Sequence, residues 1–156
     1  MRYWLMKSEP DEVSIDDLAA APSQTLPWFG VRNYQARNFM RDQMKPGDRL
    51  FFYHSSCEVP GIYGLAEVVS EAHADDTQFD RKSPYYDAKS AKDAPRWVCV
   101  DVKFVARTPV VTLPMLRDDP ALARMRVLAR GNRLSITPVT PEEWKHIHRV
   151  FLKRAP

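Results

Sequence analysis

WVCVDVKFV, residues 97–105, is the stretch on which the fold turns. Val98, Val100, Val102 and Phe104 alternate with Trp97, Cys99, Asp101 and Lys103, the period of two expected of a strand with one face on a core. The valine side is the core face. Trp97 then falls on the other face among charged residues, unless the sheet curls into a barrel. Upstream, Arg49–His54 (RLFFYH) and residues 62–69 (IYGLAEVV) have the β-branched and aromatic content of paired strands, with Pro60-Gly61 at the turn between them. Residues 3–7 make a further short strand, and residues 134–136 a last one.

Helices flank these strands. Ser14 caps a short helix over Ile15–Ala20, with Asp17 as its capping-box partner. Residues 21–33 are loop, broken by Pro22, Pro27 and Gly30 and carrying Trp28 and Phe29. Residues 34–43 are helical, ended by the turn Pro46-Gly47-Asp48. Residues 112–128 read as helix interrupted by Pro114 and Pro120. Thr140-Pro141-Glu142-Glu143 is a strong helix start, followed by an apolar stripe of Trp144, Ile147, Val150 and Phe151. Residues 70–96 are polar and without period, a stretch long enough to be either functional or disordered. Short strands with helices at both ends predict an α+β domain around a small curved sheet.

Composition agrees. With 156 residues, 44% hydrophobic and 28% charged, the chain suits one domain over residues 1–156. Thirteen prolines against five glycines exclude a long helical bundle and a flexible linker. No apolar run reaches the roughly 18–20 residues of a membrane span, and MRYWLMKSEP lacks a signal-peptide core. Cys57 and Cys99 form no disulfide framework. A cytoplasmic setting is expected, or a nuclear one in a eukaryote. The formal charge of +3 is uneven: −3 over residues 1–20, +3 over residues 32–49 and +6 over residues 123–156. Two basic blocks suit either a polyanion or a solvated surface.

Several chemistries are missing. His146 and His148 lie two apart on a helix and no cysteine has a neighbouring ligand, so no metal is expected. Phosphate-cradling glycine loops and the GxSxG nucleophile elbow are absent, and no cofactor is implied. His54, Ser55, Ser56 and Cys57 are the best nucleophilic constellation, and would make a thiol-dependent enzyme if the imidazole activated the thiol. What remains is a set of rings in irregular backbone: Trp28, Phe29, Tyr34, Tyr53, Tyr63, Tyr85, Tyr86 and Trp97. Such rings stack bases, and Arg32, Asn33 and Arg37 beside them suit phosphates and base edges. A cage for methylated lysine in a protein-interaction module is the second reading, and catalysis at His54 and Cys57 the third.

The strings YWLMKSEP (residues 3–10), GVRNYQARN (30–38), FYHS (52–55) and GIYGLAEV (61–68) resemble the EVE domain family. So do SPYYD (83–87), PRW (95–97), RGNRLS (130–135) and the closing PVTPEEW. The likeness runs in order over nearly the whole chain. It implies a PUA-like mixed β-barrel of about five or six strands flanked by short helices, related to the YTH domains that bind methylated adenine in RNA. It also implies recognition of a modified base, a modified cytosine in DNA. A monomer is expected, and a base-binding domain of this length is expected to act with an effector protein. In the YTH relatives two rings sandwich the methylated base, and by position Trp28 and Trp97 are their counterparts. Lys7-Ser8-Glu9 matches the tripeptide that contacts the base edge, with Glu9 accepting from an amino donor such as cytosine N4. Asn33, Tyr53 and Ser55 complete the expected pocket, and Arg32, Arg37, Arg130 and Arg133 are expected at phosphates. Phe29 stands where the family usually carries an acidic residue.

Overall fold

The computed structural model describes residues 1–156. In chain order its first elements are β1 (Tyr3–Ser8), α1 (Ile15–Ala20), β2 (Thr25–Pro27), α2 (Tyr34–Asn38), β3 (Arg49–His54) and β4 (Gly61–Val68). Then follow β5 (His73–Ala74), β6 (Val98–Cys99), β7 (Asp101–Thr112), α3 (Leu113–Arg117), β8 (Ile136–Val139) and α4 (Pro141–Ile147). Six strands form one mixed sheet in the order β2-β7-β4-β3-β1-β8, and β5 pairs with β6 in a small second sheet. In place of a closed barrel the chain has an open sheet with edges at β2 and β8.

The sheet carries a core on each face. Trp4, Met6, Leu50, Phe52, Ala66, Val68, Val100 and Val102 pack on one side with Leu18 of α1 and Ala36 of α2. Leu5, Phe51, Tyr53, Ile62, Leu65 and Val111 pack on the other with Leu116 of α3 and Trp144 and Ile147 of α4. Strands buried on both faces read as continuous apolar runs, which is why RLFFYH has no alternation. β1 and β3 are parallel, with Leu5 opposite Phe51 and Ser8 opposite His54. Their C-terminal ends therefore emerge side by side.

Stretch 97–105 is one strand by pattern but two in the fold. Val100 and Val102 are buried on the core face as the alternation requires, yet Trp97 and Cys99 are buried as well. The reason is that residues 70–96 fold back over the outer face, where β5 pairs with β6. That stretch is ordered by side chains: Gln78 Nε2 donates to the Asp75 and Trp97 carbonyls, and its Oε1 accepts from Trp97 N–H and Ser90 Oγ. β7 also runs on to Thr112, so the helix expected over 112–128 shrinks to α3 and two single 3₁₀ turns. The expected helix over 34–43 is α2 followed by a π turn, and the last strand lies at β8 rather than 134–136. The expected capping box of Ser14 with Asp17 forms, and the expected helix start at Thr140 makes a second box with Glu143. No helix is long and apolar enough to cross a membrane.

Candidate functional site

Where β1 and β3 end, Ser55 N–H donates to the Ser8 carbonyl at 3.0 Å, and Ser8 Oγ donates to the Val13 carbonyl at 2.7 Å. Beside this junction opens a cavity of about 360 Å³, at the lower end of the roughly 300–1,000 Å³ that holds small ligands. Leu18, Leu26, Phe52 and Val102 form its apolar floor, and Trp28, Phe29 and Tyr85 its ring walls. Lys7, Glu9, Glu12, Ser55 and Arg133 supply polar groups around it.

Each ring is placed by a distinct contact. Trp28 N–H donates to the Val100 carbonyl at 2.8 Å, extending the β2–β7 pairing, and its ring meets Phe52 edge-on with centroids 5.4 Å apart. Trp28 is 8% exposed. Tyr85 lies across Gly30, whose φ is +84° and where an added Cβ would come within 2.8 Å of the ring. Phe29 meets Tyr85 edge-on at 5.9 Å. The Tyr85 hydroxyl donates to the Glu12 carboxylate, and burial followed by that carboxylate pushes it up to about 12.

The wall loop hangs on Asp75. Its carboxylate accepts from Gly30 N–H at 2.8 Å, Arg32 Nη1 at 3.1 Å, Thr77 N–H at 2.9 Å and Thr77 Oγ1 at 2.5 Å. Burial pushes this acid upward, but the bonds from Thr77, Gly30 and Arg32 outweigh burial and hold it below its ordinary value. Near this strand end, two charges stay free. Lys7 is half-buried, its ammonium 5.8 Å from the Tyr53 ring, and burial lowers its pKa. Neither Lys7 nor the exposed Glu9 has an ion-pair partner. Glu9 thus brings a free acceptor to the slot, whereas the Lys7 ammonium lies on the Tyr53 side of the sheet.

Lys7, Ser8, Glu9, Trp28 and Ser55 come together as expected, and Arg32 and Arg133 join them in the lining. Trp97 does not. It is packed outside the cavity, stacked on Tyr34, with its indole N–H donating to Asp87 at 2.8 Å. Tyr53 faces the opposite core, and Asn33 caps α2 by accepting from Ala36 N–H at 3.1 Å. Arg32 has all five N–H groups satisfied internally, by Tyr85, Val31, Asp75 and Thr77, so it clamps the wall instead of offering itself to a phosphate. Arg37 lies outside the lining, as does the exposed Arg130, whereas Arg133 is exposed, lines the cavity and lacks an acidic partner. His54 Nε2 accepts from Ile15 N–H at 3.1 Å and its ring stacks on Tyr63; nothing pairs it with Cys57. Of the other lining rings, Phe29 and Tyr85 belong to the expected set of rings in irregular backbone but not to the expected pocket, and Phe52 belongs to neither. The SPYYD string was the available signal for Tyr85.

The mixed sheet and its slot at a parallel strand end define a small α+β domain with a ligand-sized cavity. The chain belongs to the EVE domain family, whose sequence profile matches residues 2–150. Human thymocyte nuclear protein 1 is 44% identical over 162 residues, covering 93% of this chain and 72% of that protein. Its chicken counterpart is 45% identical over 163 residues, and this chain spans 66% of its length. Among solved structures, a hypothetical protein from Leishmania major matches with a TM-score of 0.90 and 49% identity, covering 96% of this chain and 93% of that one. The human THYN1 protein in complex with 5-methylcytosine-containing DNA matches with a TM-score of 0.90 and 44% identity, over 100% of both chains.

Proposed function

We propose that this chain, on a PUA-like scaffold, binds DNA and reads a modified cytosine swung out of its stack into the cavity beside Glu9. The observation that carries the reading is the meeting, at one strand end, of ring walls with the free carboxylate of Glu9. The related human protein crystallised with 5-methylcytosine DNA supports it. Leaving the stack costs a few kcal/mol, and contacts with rings offset about 1–3 kcal/mol per base. Trp28, Phe29, Phe52 and Tyr85 are the rings at hand.

Edge chemistry sets the choice of base. Thymine carries the same methyl group as 5-methylcytosine, so apolar contact with that methyl does not separate them. The edge does: cytosine presents an amino donor at N4 where thymine presents an O4 acceptor. Glu9 accepts from N4. Arg133 meets a backbone phosphate at the mouth. Binding alone does this work; no bond is made or broken, and the His54 lone pair is already held by α1.

Fluorescence anisotropy on two single strands, differing only in 5-methylcytosine or thymine at one position, tests the reading. Wild type is expected to prefer 5-methylcytosine about tenfold or more, within the range of one good edge contact. Glu9→Gln, whose amide also donates, is expected to lose most of that preference at an unchanged melting temperature. Equal binding of both strands by wild type would contradict the reading.

A further inference from the structure

Trp97 supports an exposed ring outside the cavity. Tyr34, the first residue of α2, stacks on Trp97 with centroids 4.9 Å and planes 23° apart, and remains 52% exposed. Trp97 is itself fixed, by the Asp87 carboxylate on its indole N–H and by the Arg32 guanidinium 5.3 Å from its ring. Arg37 lies 4.6 Å from the Tyr34 ring centre and 5.9 Å from that of Trp97. A guanidinium on the far face of Tyr34 would sit from Trp97 at about the sum of the two separations. Arg37 therefore stands beside the stack, and the outer face of Tyr34 is open.

Two further facts point to a nucleic acid strand. Arg37 donates from Nη1 to the Arg96 carbonyl and from Nε and Nη2 to Asn38 Oδ1, leaving two of its five N–H groups free beside the open ring. Arg32 both lines the cavity and sits 5.5 Å from the Tyr85 ring, and Tyr34 follows two residues later. Two residues span at most about 7 Å, while nucleotides along a DNA strand are spaced at about 3.4 Å.

We propose that Tyr34 is a second stacking site, taking a base one or two positions from the one in the cavity, with Arg37 on the phosphate between them. The proposal rests on the modified-cytosine reading above. Stacking of this kind accepts any base, so the site adds affinity without adding sequence preference. It makes a short strand bind more tightly than the same modified nucleotide alone.

The test compares 5-methyl-dCMP with a pentamer carrying 5-methylcytosine at its centre and 2-aminopurine on either side. Tyr34→Leu keeps an apolar cover on Trp97 but offers no ring, whereas Tyr34→Phe keeps the ring. For the pentamer, Tyr34→Leu is expected to weaken binding roughly fivefold to a hundredfold and to abolish the quenching of 2-aminopurine seen with wild type. Tyr34→Phe retains both, and 5-methyl-dCMP binds all three proteins alike. Pentamer binding by Tyr34→Leu equal to wild type, or no quenching by wild type, overturns the proposal. So does a parallel loss of 5-methyl-dCMP binding, which would make Tyr34 a mere support for Trp97. If wild type binds neither ligand, the cavity reading fails first and the second site falls with it.

Discussion

Asp75 places a full negative charge out of water and surrounds it with four hydrogen bonds, from Gly30, Arg32 and Thr77. Asp75→Asn puts an amide donor against some of those N–H groups. It is expected to cost about 3 kcal/mol, as removal of one buried partner does, measured by urea unfolding. The acid sits below its ordinary value when folded, so its stabilisation is complete above about pH 4 and is lost as pH falls through the depressed value. Asp75→Asn should lack that share of the acid transition. His54 works in the same sense at higher pH. Its Nε2 must keep a lone pair for Ile15 N–H, and burial lowers its pKa against the pull of Asp16 and Asp17. The unfolded chain therefore takes up the proton first, and stability declines as pH drops below about 6.5. Burial lowers His148 likewise, and its Nδ1–H donates to the Trp144 carbonyl. Melting temperature from pH 7.5 to 5.5 should fall, less steeply in His54→Gln, with the His148 share remaining; an unchanged slope would contradict this account. At this scale the sequence revealed Ser14 and Asp17, because that pair acts between near neighbours. It hid the roles of Arg32 and Trp97, which depend on Tyr85 and Tyr34, partners distant in the sequence.

Elements set by periodic burial were legible; elements set by single polar side chains were not. α1 and β3 were read to the residue, and the central valines of residues 97–105 lie on the core face as expected. Residues 70–96 have no period because Gln78, Asp75 and Asp87 order them through hydrogen bonds to backbone and indole. That folded-back loop is also why alternation misplaced Trp97: a pattern marks two faces but not what later covers them. The loop and the cavity wall meet at Gly30, which gives a controlled prediction. Gly30 and Gly47 both have positive φ, +84° and +97°, but only Gly30 has a ring where a Cβ would stand. Alanine at either site carries backbone strain of about 1–2 kcal/mol. Gly30→Ala should in addition displace Tyr85 and lose affinity for a 5-methylcytosine strand, whereas Gly47→Ala should keep it. Thermal melting and anisotropy on the two variants separate strain from wall damage.

Across the whole molecule, pairing order was the least legible feature. β1 pairs in parallel with β3 and antiparallel with β8, and no local pattern announces partners so distant. That pairing makes the site, since it brings Ser8 and Ser55 together and opens the slot between the strand end and the wall loop. Charge acts on the same scale. Arg133 is free at the mouth, so Arg133→Gln should weaken modified and unmodified strands alike and reduce the salt-dependence slope by about one. The central claim concerns where the modified base goes, and one measurement addresses it directly. A DNA strand with a ¹³C-labelled methyl on its 5-methylcytosine is titrated with the protein and followed by NMR. Inside the slot, that methyl should shift upfield from ring currents and show cross-peaks to Trp28, Phe52 or Tyr85. A bound strand whose methyl resonance stays at its free position, without contact to those rings, would contradict the account.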